Sequence, residues 1–384
     1  MEEWKEYKIG DLCSKVCSGG TPSSKHSEYY DGDIPWLNTK EINFNRIYAT
    51  EKCITEEGLN NSSAKWIEEN SVIVAMYGAT AGKTAIAKIP LTTNQACCNL
   101  TINPSVADYR FVYYYLCYKF IELASLANGG AQQNLNAQII KDFQITLPSK
   151  SEQERIALIL SSLDDKIEVN RRINDNLEQQ GQLLFEEFVM NPNSPRTQLL
   201  GDYAFINPAR TIAKGRTARC IDMSSLPTKG TFPNDWTFKE YNGGMKFQNG
   251  DTIMARITPC LENGKTAYIN FLDEGEVAFG STEYIVLSPQ DGLCPELLYF
   301  LARHDDFVSY AVAHMNGSSG RQRVSGNDIA NYVMPEISSE TMNVISEKLH
   351  GIMEVIKNNS LESRCLAELR DTLLPRLMSG ELKL

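Results

Sequence analysis

The sequence predicts a mixed α+β protein built as a tandem repeat, in which a globular part, a long helix, a second globular part and a second long helix follow one another. Two observations predict it. Residues 151–189 and 338–377 share one apolar spacing, and short motifs outside those stretches recur in the same order. Ile9-Gly10-Asp11-Leu12 returns as Leu200-Gly201-Asp202-Tyr203, Val72-Ile73-Val74-Ala75 as Thr252-Ile253-Met254-Ala255, and Gly82-Lys83-Thr84-Ala85 as Gly264-Lys265-Thr266-Ala267. Leu147-Pro148 before the first helix returns as Met334-Pro335 before the second. A repeat of this length means two whole domains rather than a solenoid. The parts are residues 1–150, 151–194, 195–337 and 338–384.

The first globular part opens with short strand-and-turn material. Ser18-Gly19-Gly20-Thr21-Pro22-Ser23-Ser24-Lys25 is a glycine- and hydroxyl-rich loop, and Asp31-Gly32-Asp33-Ile34-Pro35-Trp36-Leu37 sets a turn before an aromatic strand. β-Rich stretches cover 71–77, 85–89 and 95–102, and residues 108–126 read as one helix carrying Phe111, Tyr113, Tyr114, Tyr115 and Tyr118. A polar loop, 128–136, and a strand, 143–147, follow. Ser151 and Glu154 have the spacing of a capping box that opens the first long helix, and Asn191-Pro192-Asn193-Ser194-Pro195 closes it. The second half repeats the plan, with a helix over 295–313 and the loop Asn316-Gly317-Ser318-Ser319-Gly320-Arg321-Gln322-Arg323. Pro375 should break or bend the last turn of the second long helix. Trp36, Trp66 and Trp236, like the tyrosine-rich helix, read as core.

In the long helices, Ile156, Leu160, Leu163, Ile167, Asn170, Leu177, Leu184 and Phe188 fall on Ile345, Leu349, Ile352, Ile356, Asn359, Leu366, Leu373 and Leu377 at an offset of 189 residues. Steps of three, four and seven make an apolar seam close to a coiled-coil stripe. Each helix would run roughly 55–60 Å at 1.5 Å per residue, far beyond the average helix of about 11–12 residues. A helix of that length with one apolar stripe needs a partner, and the other copy matches it. The pair reads as a rod with a buried Asn170/Asn359 layer that fixes register at some cost in stability. The plainer alternative, that each helix caps its own domain, leaves the matched seams unexplained.

A chain of 384 residues suits two or three domains. No apolar run reaches about 18 residues and the start is acidic and polar, which speaks against a membrane span or secretory signal and for the cytoplasm. The ten cysteines show no Cys-x-x-Cys spacing beside only four histidines, so free thiols are expected rather than a zinc site or disulfide framework. The net charge of −11 is concentrated: residues 151–194 hold 4 Lys+Arg against 9 Asp+Glu, whereas residues 1–150 hold 14 against 16. The globular parts can therefore carry local basic patches while the first long helix presents an acidic face to solvent or a partner.

Catalytic motifs fail on inspection. Gly78-Ala79-Thr80-Ala81-Gly82-Lys83-Thr84 has three residues between its glycines where a phosphate-binding loop needs four, so a strand-connecting turn with a usefully placed lysine is expected. Asn103-Pro104-Ser105, Asn191-Pro192-Asn193 and Asn207-Pro208-Ala209 lack the second proline and aromatic of an adenine-methyltransferase element. There is no Gly-x-Ser-x-Gly elbow and no metal-ligand spacing. No catalytic or metal-binding residue is assigned.

The order of parts, together with Ser18-Gly19-Gly20-Thr21-Pro22 followed by Ile34-Pro35-Trp36, Tyr77 to Thr84, Thr93-Asn94-Gln95-Ala96, Leu147-Pro148 leading into Glu152-Gln153, Ala255-Arg256-Ile257-Thr258-Pro259 and the terminal Leu373-Leu374-Pro375-Arg376-Leu377-Met378-Ser379-Gly380, resembles the specificity subunit of type I restriction-modification enzymes. The second half has Asn207-Pro208-Ala209-Arg210 where the first has its Gly-Gly-Thr-Pro loop. The resemblance implies two α/β target recognition domains, each reading one half of a split, asymmetric double-stranded DNA site, related by a pseudo-two-fold axis and joined by an antiparallel coiled coil that fixes the spacer. It implies two modification subunits that bind S-adenosylmethionine and dock on this chain, restriction subunits that use ATP and Mg, and no cofactor in the chain itself.

Base reading needs Arg, Lys, Asn or Gln on loops, and phosphate contacts need cations or hydroxyls. The candidates are Lys25, Lys40, Lys83, Gln132, Gln133 and Asn134 in the first domain. In the second they are Arg210, Lys214, Arg216, Arg219, Arg256, Lys265, Arg321, Gln322 and Arg323. Two rivals stand beside this reading: a stand-alone DNA-binding regulator without a methyltransferase partner, and a nucleotide-dependent enzyme using Lys83.

Overall fold

The computed structural model describes residues 4–127, 134–191, 195–318 and 320–384. The chain divides into two compact units, residues 1–165 with 366–384 and residues 166–365. The boundary between units cuts both long helices, so the helices are shared between the units rather than standing as separate segments.

In the first unit a five-stranded sheet runs in the order Cys13–Ser18, Cys97–Ile102, Val72–Ala75, Thr84–Ala87, Asn45–Ile47. A second sheet runs Lys52–Ile54, Tyr30–Leu37, Leu91–Thr93, Trp66–Ile67, and Lys5–Lys8 pairs with Gln144–Leu147. Val72–Ala75 and Tyr109–Tyr118 carry runs of apolar side chains that are buried throughout. Phe111, Val112, Tyr113, Tyr114 and Tyr115 join one core with Val72, Val74 and Leu100, so the tyrosine-rich helix is core as expected.

The second unit repeats this plan with one strand fewer among the described residues. Ala204–Ile206, Tyr284–Pro289, Thr252–Ala255 and Thr266–Tyr268 form one sheet, and Thr237–Glu240, Thr217–Ile221, Ala278–Gly280 and Lys246–Phe247 form the other. The pairing senses agree: Tyr30–Leu37 is parallel to Leu91–Thr93, as Thr217–Ile221 is to Ala278–Gly280. Only Asn45–Ile47 lacks a strand counterpart among the described residues.

The long helices are Lys150–Phe188 and Ser339–Met378. In each unit they run antiparallel. In the first, Ile156, Ala157 and Leu160 share a core with Leu377 and Met378, while Leu373 packs against it, and Asp164 accepts from Arg370 at 2.7 Å. In the second, Leu177, Leu184 and Phe188 pack with Ile345, Leu349, Ile352 and Ile356. Asn170 is fully buried, and its amide donates to the Asn359 carbonyl at 3.3 Å, to Glu362 at 2.8 Å and to Ser363 at 3.2 Å. The Asn359 amide turns instead to Asn174, at 2.9 Å. Leu163, Ile167 and Leu366, nearest this polar layer, are half-buried.

Five local expectations are corrected. The first long helix is capped by Ser149, whose carbonyl accepts from Gln153 at 2.9 Å and whose hydroxyl accepts from Glu152 at 3.4 Å, and Ser151 lies inside the helix. The second long helix is not interrupted at Pro375 but continues to Met378, because a proline so near the end forfeits only one backbone bond. The helix expected over 108–126 is two helices, Tyr109–Tyr118 and Phe120–Ser125, and that over 295–313 is Pro295–Arg303 and Asp305–Ala313. In the latter His304 is extended, and its ring accepts from the Asp306 amide at 3.2 Å. Trp66 is 43% exposed and so is not core, since it sits on a two-residue edge strand.

Candidate nucleic-acid interface

The Gly-Gly-Thr-Pro loop owes its glycines to packing. A Cβ on Gly19 would lie 2.1 Å from the Thr93 carbonyl oxygen, and one on Gly20 2.3 Å from the Ala64 nitrogen. The Gly20 amide donates to Thr93 at 2.9 Å, the Trp36 indole donates to the Gly20 carbonyl at 2.9 Å, and the Tyr30 hydroxyl donates to the Pro22 carbonyl at 2.6 Å. This clasp projects Thr21, bonded to the exposed Gln95, and beyond it Lys25, which is exposed and has no side-chain partner among the described residues. Gln95, in the Thr-Asn-Gln-Ala motif, is exposed beside this clasp and was not among the sequence candidates.

Residues 78–83 connect the antiparallel strands Val72–Ala75 and Thr84–Ala87. The loop enters a strand, whereas a phosphate-binding loop enters a helix. Lys83 donates to Asn43 at 2.8 Å, which brings this turn to the loop carrying Lys40, itself paired with Glu51. Asn134 bridges to Tyr77, an exposed aromatic that the sequence reading also passed over. Gln132 and Gln133 lie outside the described residues.

In the second unit the candidate cations separate into committed and free. Arg210 donates to both oxygens of the buried Asp251 at 2.6 Å and to Ser288 at 3.1 Å. Burial pushes the Asp251 carboxyl up, against the pull of the Gln248 amide and of Arg210. Arg219 is buried, bonds Glu276 at 3.1 Å and lies 5.3–5.7 Å from the ring centroids of Trp236, Phe238 and Phe271. Lys265 donates to the Met223 carbonyl at 2.7 Å. Arg323 donates to Glu283 at 2.7 Å, and those hydrogen bonds hold the carboxyl below its usual value.

Lys214 and Arg216 flank Gly215, whose φ of +80° makes the tight turn, and both are exposed without a side-chain partner among the described residues. Arg321 is exposed in the same way. Its loop is held against residues 256–258: the Thr258 amide donates to the Gln322 carbonyl at 3.1 Å and the Val324 amide to the Arg256 carbonyl at 3.0 Å. Arg256 is half-buried, and its Nε has no partner among the described residues. The turns at Tyr77 and Ile257 are equivalent in the repeat, bridged respectively to Asn134 and Arg323.

No helix among the described residues is long and apolar enough to cross a membrane. Residues 1–179 match the type I restriction modification DNA specificity domain. Over 424 aligned residues the chain is 28% identical to the type I restriction enzyme MjaIX specificity subunit of Methanocaldococcus jannaschii, covering all of this chain and 94% of that protein. It is 29% identical over 168 residues to the EcoR124I/EcoR124II specificity subunit of Escherichia coli, covering 42% and 41%. The S subunit of a type I restriction-modification system from M. genitalium shares the fold, with a TM-score of 0.59 at 18% identity over 98% of this chain and 96% of that one. The chain is thus similar to type I restriction enzyme specificity subunits, through a domain match over residues 1–179 and a relative aligned over all of this chain, and its repeated globular parts and two long helices go with that likeness.

Proposed function

We propose that the chain is the sequence-specific DNA-recognition subunit of a type I restriction-modification complex and catalyses no reaction itself. Each globular part reads one half of a bipartite, asymmetric double-stranded site, and the long helices set the spacer and dock two modification subunits. Restriction subunits complete the assembly. S-adenosylmethionine belongs to the modification subunits, and ATP and Mg to the restriction subunits.

The observation that carries this reading is the repetition of one strand order in two units with unlike loops. A common scaffold with a different loop chemistry in each copy suits two different half-sites, because the scaffold positions while the loop side chains specify. Of the named candidates, Lys25, Lys214, Arg216 and Arg321 remain open to DNA. Arg210, Arg219, Lys265 and Arg323 brace the loops instead.

The test is a genome-wide map of adenine methylation with the gene intact and deleted. Loss of one split motif on deletion supports the reading and gives both half-sites and the spacer. An unchanged map overturns it and favours a stand-alone DNA-binding regulator.

A further inference from the structure

A domain that reads one half of a split site keeps a fixed spacer only if its pose on the helices is fixed. In the first unit, apolar packing of Phe111 and Val112 with Ile156 and Leu160 holds the domain near the start of the first long helix, where Gln153 also accepts from the Asp108 amide at 3.0 Å. Apolar burial is non-directional and leaves pivoting possible. A polar attachment lies at Asp164 and Asp165, about 18 Å further along at 1.5 Å per residue, where the Tyr114 hydroxyl donates to Asp164 beside the Arg46 contact. Arg46, on the strand Asn45–Ile47 that has no strand counterpart among the described residues of the second unit, donates from one guanidinium nitrogen to Asp165 and from the other to the Ser161 carbonyl, the latter at 3.3 Å. Its side chain is only 13% exposed.

The second unit makes its outlying attachment from the helix side. Near the start of the second long helix the Cys294 amide meets the Met342 sulfur at 3.4 Å. About 33 Å further along the same helix, Arg364 donates to Asp235 at 2.8 Å and lays its guanidinium over Trp236, 3.9 Å from the ring centroid. Trp236 in turn stacks on Phe271 at 4.6 Å. Arginine serves at both places because its planar fork engages two acceptors at once or stacks on a ring, which fixes direction as well as distance.

A small pivot matters. A domain of about 150 residues is ~30 Å across, so a tilt of about 7° moves its far loops by about 3.4 Å, one base-pair rise. We propose that Arg46 and Arg364 are positioning residues that make the spacer length strict, each pinning the recognition domain of its own unit against pivoting on the long helices. The proposal rests on the reading of the chain as a specificity subunit.

The test replaces the chromosomal gene with R46A, R364A, D165N or D235N alleles and maps methylation beside wild-type and deletion strains. Sites with unchanged half-sites but a spacer one base pair longer or shorter should rise from background to at least about a tenth of the level at the cognate spacer, with the half-site bases unaltered. D165N and D235N weaken each clamp from an exposed carboxylate and give the same readout should an arginine variant not accumulate. A wild-type motif that disappears on deletion, together with alleles that lower methylation evenly and keep one spacer, overturns the proposal alone. A map that does not change on deletion overturns the recognition reading and the proposal with it.

Discussion

Gly181 and Gly351 both lie inside the long helices, and alanine at the two positions should move stability in opposite directions. Alanine in place of an interior helical glycine ordinarily gains about 1 kcal/mol. At Gly351 nothing lies within 4 Å of the added Cβ, so Gly351→Ala should raise the melting temperature by about 2–4 °C. At Gly181 the new Cβ would sit 2.2 Å from Phe300 Cζ and 2.6 Å from Cε1. Phe300 is fully buried and edges against Tyr299 with ring centroids 5.3 Å apart, so its ring must move by more than 1 Å in a packed core. Overpacking of this kind costs about 1–3 kcal/mol, occasionally more, which outweighs the propensity gain. Gly181→Ala should therefore lower the melting temperature of the second unit by about 2–6 °C. Thermal melts of the purified chain by circular dichroism read both signs. Phe300→Leu removes the clashing ring atoms, so the Gly181→Ala, Phe300→Leu double variant should be more stable than the sum of the singles by about 1 kcal/mol. A Gly181→Ala chain that melts at or above wild type, or strict additivity in the double, would refute the packing argument.

Lys214→Ala, Arg216→Ala and Arg321→Ala should leave melting within about 0.5 kcal/mol while weakening duplex binding and each reducing the salt slope by about one, measured by anisotropy at several ionic strengths. Arg219→Ala should instead cost about 2–4 kcal/mol, read by urea titration, because a buried guanidinium leaves Glu276 and three aromatic rings behind. Asp164→Ala should destabilise the first unit by about 3 kcal/mol in the same titration, since Arg370 and the Tyr114 hydroxyl both lose their acceptor. Asp108 caps Tyr109–Tyr118 through the Arg110 and Phe111 amides. Burial pushes its carboxyl up, but the hydrogen bonds from Arg110 and the helix amides together outweigh it and leave the group below its ordinary 3.8. Its contribution is therefore complete above about pH 4 and fades as pH falls, so the stability gap between wild type and Asp108→Asn should narrow below pH 4 in acid titrations followed by fluorescence.

The helices were legible because their spacing persists over many turns, and the polar layer because Asn170 interrupts it. The partner of Asn359 was not legible: which asparagine faces which depends on the stagger of two antiparallel helices, and that stagger is set by packing elsewhere on the seam. Free and committed cations look alike in sequence because their partners are remote. Arg210 and Asp251 are 41 residues apart, Arg219 and Glu276 are 57 apart, and Arg323 and Glu283 are 40 apart. The break at His304 had a local sign that went unused, since Arg303 closes one helix and Asp305-Asp306 opens the next with charges that suit each end. The Gly-Gly-Thr-Pro motif was visible as a loop, but its cause lay in the backbone of residues 64 and 93, which no local pattern shows.

A chain with eleven excess negative charges can still approach a polyanion because the charges that decide binding are those within a Debye length of the phosphates, about 8 Å at physiological ionic strength. In the second unit Asp251 is paired with Arg210 and Glu283 with Arg323, while Lys214, Arg216 and Arg321 are exposed. Of the 9 carboxylates of residues 151–194, Asp164 pairs with Arg370, Asp165 with Arg46, Glu168 with Arg171 and Arg172, and Glu178 with Arg303. On the proposed function that is a useful division, because these helix carboxylates are engaged in internal pairs while the cations that hold the duplex are confined to the loops that must read it.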